Sequence, residues 1–127
     1  MSPPTVTGVD FLSVATRDFA AAKEFYETTL GLECSAAYSH APGGEFETGN
    51  LTLQVIDSAA HGLEFQPRSH PVALHVDDVA VARAELEERG VRFRGETFDT
   101  GVCHMAIFAD PDGNVLMLHH RYAPRTA

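Results

Sequence analysis

His75 and His119 carry the clearest chemical potential in this chain. Both lie in strand-like sequence, where side chains alternate between two faces, and by that alternation they share a face with Ser13, Thr52 and Gln54. Two imidazoles can act as general acid and general base, because each titrates near neutral pH. With Glu47 or Gln54 as a third donor, the same pair could hold a borderline dication such as zinc. A third reading keeps both as histidines that line a pocket or its rim, held by hydrogen bonds. The remaining histidines add no preformed ligand spacing. His104 falls on the helix-packed parity, His120 on the outward one, and His40, His61 and His70 in loop-like sequence.

Cys103 shares its parity with Met105 and Ile107. A nucleophilic role needs a thiolate, which a neighbouring imidazolium favours; a buried cysteine acting as a small hydrophobe is the commoner case. Phe11, Met105 and Met117 add apolar surface, either a floor for a flat ligand or simple filling. Ser13, Thr52, Gln54 and His75 between them would be polar groups buried without purpose unless a ligand engages them. The candidate ligand site is therefore Phe11, Ser13, Thr52, Gln54, His75, Cys103, Met105, Met117 and His119, suited to an apolar or aromatic small molecule.

The elements that must position these residues occur twice. Val9–Phe19 reads as an alternating strand entering an amphipathic helix, and Pro71–Val79 repeats it, with Asp78 matching Asp18 and Ala82 matching Ala22. Asp18 and Asp77 or Asp78 are helix caps. Phe19, Ala22, Tyr26 and Leu30 form one helical stripe, Val79, Ala82 and Leu86 the other, and Gly31 and Gly90 supply the stops. Asp110-Pro111-Asp112-Gly113 is a turn joining Cys103–Phe108 to Val115–His119; Ala41-Pro42-Gly43-Gly44 is another. The strands carry one aliphatic face (Leu12, Val14, Leu51, Leu53, Val55, Val72, Leu74, Val76, Leu116, Leu118) that helices should cover. The opposite face is mixed. Two β-α-β-β-β repeats, about 9–57 and 70–122, predict one α+β domain over residues 1–127. Its curved mixed sheet should form a cup for a small molecule.

Bulk properties narrow the partners. With 127 residues, the chain is long enough for a core without staples. A net charge of −9 and scattered basic residues argue against nucleic acid. No apolar run approaches the ~20 residues of a membrane span. Cys34 and Cys103 have no CxxC spacing and no secretory leader precedes them, so reduced thiols and a cytoplasmic location are expected.

With these residues in view, the chain resembles the vicinal oxygen chelate superfamily, which includes glyoxalase I, extradiol dioxygenases, and fosfomycin and bleomycin resistance proteins. The resemblance rests on Asp18–Glu33 with its Phe25-Tyr26 and Leu30-Gly31-Leu32, on Val76-Asp77-Asp78-Val79, and on Asp110-Pro111-Asp112-Gly113-Asn114. It covers nearly all of the chain and implies a glyoxalase-like fold. The superfamily's enzymes hold a divalent metal through one inward residue on each of up to four strands. Those positions fall here on Phe11, Gln54 (to within one residue), Pro71 and Met117. Phe, Pro and Met offer nothing to such an ion, and Gln is a poor neutral donor.

The resemblance thus implies a member lacking the usual metal ligands, with no cofactor. It would be a binding protein holding an apolar or aromatic ligand, as bleomycin-resistance members sequester their drug. The alternative is a divergent lyase, isomerase or dioxygenase-like enzyme using His75 and His119, or a relocated divalent metal. A third reading is a dimeric interaction module with no small ligand. A homodimer is expected, because pairing covers open strand edges.

Overall fold

In the computed structural model, which describes residues 2–125, the alternating stretches become strands in the predicted order. The first half holds β1 (Phe11–Thr16), α1 (Phe19–Lys23), β2 (Glu33–Ala37), β3 (Gly43–Glu47) and β4 (Thr52–Asp57). The second holds β5 (Val72–His75), α2 (Val79–Glu88), β6 (Arg94–Asp99), β7 (Cys103–Ala109) and β8 (Val115–Arg121). Each half closes its own four-stranded mixed sheet, ordered β1-β4-β3-β2 and β5-β8-β7-β6. The pairs β1/β4 and β5/β8 are parallel, and the remaining ladders are antiparallel. The fold is α+β and glyoxalase-like, with the expected curved sheet divided between the two halves.

Both helices begin where the sequence places their caps. Asp18 Oδ1 accepts from the Ala21 N–H at 3.2 Å, and Asp78 Oδ1 from the Val81 N–H at 3.1 Å. The first helix then departs from the regular period. After Lys23 it widens into a π-helical stretch, Glu24–Thr29, closed by Leu30 N–H on the Phe25 carbonyl at 2.9 Å. A second difference concerns Gly43 and Gly44, which open β3 instead of turning. A Cβ on Gly44 would stand 2.7 Å from the Ala36 carbonyl oxygen and 3.0 Å from the Phe19 ring, so close packing fixes this residue. The turn at 110–113 is as expected: Gly113 takes φ +90° and donates to the Asp110 carbonyl at 3.0 Å.

The aliphatic face is the core. Val14, Leu53, Val55, Leu116 and Leu118 are buried, and Leu12, Val72, Leu74 and Val76 pack against them. Residues from both sheets, with Ala22 and Tyr26 of the first helical segment and Val79 and Leu86 of α2, belong to one continuous cluster. A file of rings crosses it: Tyr26 lies 5.7 Å from Phe46 and 5.3 Å from Phe25, Phe25 lies 6.4 Å from Phe108, and Phe108 lies 5.1 Å from Phe93. The two sheets therefore turn their helix-bearing faces toward each other, and their mixed faces point away.

A buried polar junction fixes this arrangement. The Tyr26 hydroxyl, on a side chain with no exposure, donates to Asp110 Oδ2 at 2.6 Å. Asn114 Nδ2 donates to the same oxygen and to the Ala15 carbonyl, both at 2.8 Å. Thr16 Oγ1 donates to Asp112 Oδ2 at 2.6 Å, and the Arg17 N–H to Asp112 Oδ1 at 3.0 Å. A turn of the second half is thus bolted into the first by charge-assisted hydrogen bonds, the stronger kind. Among the described residues no helix is long and apolar enough to cross a membrane.

Two outcomes follow from this packing. Gly113→Val should lower stability by ~1–3 kcal/mol, because a β-branched residue is strained at positive φ; an unchanged melting curve would contradict the turn geometry. Burial first, and the Asp110 carboxylate second, hold the Tyr26 hydroxyl well above its ordinary pKa of 10.0. A group raised on folding stabilises the fold fully below its unfolded pKa, and that contribution is lost as pH climbs beyond it. Tyr26→Phe should cost ~1.5–3 kcal/mol at pH 7, the range for a hydrogen bond to a charged group. The same variant should show a shallower loss of stability above about pH 10 in urea melts, and equal slopes would refute the assignment.

Candidate functional site

The nine predicted site residues occupy the mixed faces, in two separate sets. On the first sheet, Phe11 aligns with Thr52 and Glu47, and Ser13 with Gln54 and Glu45. On the second, His75 aligns with His119 and Met105, and Ala73 with Met117 and Ile107. Because the core lies between the sheets, the sets face away from each other within one chain. Phe11 and Met117, which the sequence reading brings together, do not meet there. Phe11 is instead open to solvent, 51% exposed at the free edge of its sheet.

The first face is polar and internally ordered. Ser13 Oγ donates to Gln54 Oε1 at 2.8 Å, Gln54 Nε2 to the Tyr38 oxygen at 3.1 Å, and Tyr38 to Glu45 Oε2 at 2.6 Å. Beside this relay, Glu47 accepts from Ser35 Oγ and, at 2.7 Å, from Thr52 Oγ1. Desolvation, then the bond to Glu45, raises the Tyr38 pKa, while the Ser35 bond, then the Thr52 bond, lowers that of Glu47. The sequence reading missed Ser35, Tyr38 and Glu45. Parity across the β3–β4 hairpin places Glu45 and Glu47 opposite Gln54 and Thr52, so the signal was present for the acids; Tyr38, in a loop, gave none.

The second face is more apolar and carries the basic groups. Met105, Met117 and Ile107 are half-buried along it, and Cys103 is buried at one end with Arg121 Nη1 4.0 Å from its sulfur. His75 turns outward: its side chain is 71% exposed and Nε2 lies 3.3 Å from Asp77 Oδ1. Its ring centroid is 5.8 Å from that of His120, whose Nδ1 lies 3.1 Å from the Val76 carbonyl oxygen. His120 shares parity with the core residues Leu116 and Leu118, so it is a helix-side and not an outward residue. His104 pairs with Asp99 at 3.4 Å and stacks on Tyr122 at 4.8 Å, away from the mixed face.

A metal does not fit these residues. Phe11, Gln54, Pro71 and Met117, where the resemblance puts the ligands, offer no donor set for a dication. Among the described residues no three His, Cys, Asp or Glu side chains stand close enough to share an ion. What the faces can do is bind: apolar side chains supply contact area, and a pre-ordered polar network supplies orientation. A cavity of about 350 Å³ lies elsewhere, between the halves on the helix side, and of the nine residues only His75 touches it.

Known proteins share this architecture. A family description, the Glyoxalase/Bleomycin resistance protein/Dioxygenase superfamily, matches residues 8–118. TnmS3, an antibiotic binding protein from Streptomyces sp. CB03234, has 29% identity and a TM-score of 0.79 over 94% of this chain and 99% of its own. A glyoxalase/bleomycin resistance protein from the same strain has 30% identity and a TM-score of 0.72, over 89% of this chain and all of its own. The Bacillus subtilis (strain 168) protein YwbC is 27% identical over 99 residues, which is 72% of this chain and 79% of that protein.

The geometry of Glu47 gives a direct check. Its carboxyl should titrate below the ordinary glutamate value of 4.5. The Ser35 bond is the larger cause, so Ser35→Ala should raise the midpoint more than Thr52→Val does. A depressed carboxyl stabilises the fold above its unfolded pKa and loses that contribution as pH falls through the folded value. Carboxyl-detected NMR across pH 2–6 reads both midpoints, and an unshifted Glu47 in the parent protein would show that the Ser35 and Thr52 bonds do not persist in solution.

Proposed function

We propose that this chain, which belongs to the Glyoxalase/Bleomycin resistance protein/Dioxygenase superfamily, binds a small apolar or aromatic molecule without metal, in a cup that two copies build together. One observation carries the reading: each sheet turns a mixed face outward with large apolar side chains on it. Phe11 stands half-exposed on the first face, and Met105 and Met117 lie half-buried on the second. An apolar ring left in water at an open edge is a cost that a covering partner removes.

The faces complement one another. The first presents Glu45 and Glu47, the second His75, His119 and Arg121. If the first face of one copy meets the second face of another, a two-fold axis repeats the contact and makes two equivalent cups. The free edges of β1 and β5 then have a neighbour within reach. Kinship with the antibiotic binding protein TnmS3, at 29% identity, supports a bound small molecule and not its identity.

Catalysis would ask more of these residues. His75 is solvent-facing and paired with Asp77, and the positions that carry metal in the superfamily's enzymes hold Phe, Gln, Pro and Met. Sequestration requires only the surfaces described.

Light scattering at micromolar concentration should give twice the chain mass of 13.8 kDa; a monomer would overturn the shared cup. N-phenyl-1-naphthylamine, a neutral aromatic probe, should bind with micromolar affinity, which ~25 cal/mol per Å² of apolar burial supports after association costs. Added chelator should leave that affinity unchanged. Met117→Glu should weaken binding about tenfold or more by placing an unpaired carboxylate in the cup. Near-stoichiometric zinc, nickel, manganese or iron in untagged protein, lost in His75→Ala, would replace this reading with the enzyme one.

A further inference from the structure

The two halves meet at two junctions related by the repeat, and different residues close each of them. Counting from the caps Asp18 and Asp78, Tyr26 corresponds to Leu86 and Thr16 to Val76. The strand registers likewise match Asn114 to Leu51. At the first junction, Tyr26, Thr16 and Asn114 are fully buried and hydrogen-bond across to the other half. At the second, their counterparts Leu86, Val76 and Leu51 are aliphatic, and all three line the cavity of about 350 Å³.

The turns differ in the same sense. Asp110 reaches Tyr26 from a turn spanning 110–114, whereas the matching turn, 48–51, is one residue shorter. Thr48 spends its hydroxyl within that turn, on the Leu51 carbonyl at 2.6 Å. A tyrosine and a carboxylate at one junction are thus replaced by a leucine and a self-satisfied threonine at the other. The space they would occupy is empty of protein and walled by leucine: Leu30, Leu32, Leu53, Leu74, Leu86 and Leu118.

We infer that this second junction is a ligand site, separate from the cup, for a neutral aliphatic molecule of about eight to ten carbons bearing one hydroxyl or carbonyl. Size comes from the volume: an apolar cavity of about 150 Å³ takes a benzene, and this one is roughly twice as large. Shape comes from the wall, which is mainly aliphatic, with His75 its one ring. The head group is set by the polar lining, where Thr48, Asn50, His75, Glu85 and Arg89 stand. One acid and one base cancel, so an ionised head gains from neither without opposing the other. The Arg89 guanidinium already donates to the Thr29 carbonyl of the other half at 2.9 Å, bracing the mouth.

1-Octanol is the probe, followed by methyl NMR on the intact protein. Its titration should saturate, shifting Leu30, Leu53, Leu86 and Leu118 and leaving Met105 and Met117 still. Leu86→Tyr restores the bulk found at the matching junction and should weaken octanol at least tenfold while the melting temperature holds or rises. Ala82→Ile, on the same wall, is the second plug and should also weaken it. Octanoate should bind several-fold more weakly than octanol in the parent protein. N-phenyl-1-naphthylamine should bind Leu86→Tyr as it binds the parent, which separates this site from the cup. Non-saturating shifts, undiminished binding in both folded plug variants, or loss of octanol on Met117→Glu would each overturn the site; octanoate binding as tightly as octanol would overturn the neutral head group.

Discussion

The arrangement depends on the donors gathered around one buried carboxylate. Asp110 is 6% exposed, and its two oxygens accept from the backbone N–H groups of Asp112 and Asn114, from Asn114 Nδ2 and from the Tyr26 hydroxyl. A buried acid without such partners costs several kcal/mol, so the turn that carries it can settle only where Tyr26 stands. That requirement joins residues 84 positions apart and brings the helix-bearing faces of both sheets onto one core. Two features follow from it: the mixed faces point outward, and Phe11 is left uncovered at the edge of its sheet.

Repeat symmetry makes the same junction twice but fills it differently. Where Thr16, Tyr26 and Asn114 lock polar groups across the halves, Val76, Leu86 and Leu51 offer only apolar surface. The core is therefore rigidly specified at one end, by directional bonds with fixed partners, and loosely at the other, by interchangeable aliphatic contacts. A void tolerated at the loose end does not threaten the fold, because the polar junction and the file of rings from Phe46 to Phe93 already set how the halves sit.

Much of this was legible in the residues. Two strand-helix repeats, their aspartate caps and the 110–113 turn came directly from periodicity and turn chemistry, because each is a local property. The aliphatic face was legible for the same reason. The relation between the halves was not, because it rests on contacts such as Tyr26 with Asp110 that local pattern cannot express. Thr16 was the available clue: on the strand face that holds Leu12 and Val14 it is the polar member, and a buried hydroxyl demands a distant partner. The π-helical widening after Lys23 left no signal in the apolar spacing, and Gly43 and Gly44 looked like turn residues because their close neighbours, Tyr38 and Val55 for the first and Ala36 and Phe19 for the second, lie on other segments of the chain.

The polar network on the first face bears on how a ligand would be chosen. Ser13, Gln54, Tyr38 and Glu45 already satisfy one another, and Ser35 and Thr52 already satisfy Glu47. A ligand that hydrogen-bonds there must displace a bond of similar strength, so the net gain from polar contact is small. Affinity would then come from Phe11, Met105 and Met117, and discrimination from the cost of disturbing the relay. Such a surface would tolerate varied apolar shapes and penalise misplaced polar groups, because the relay already closes on itself at Glu45.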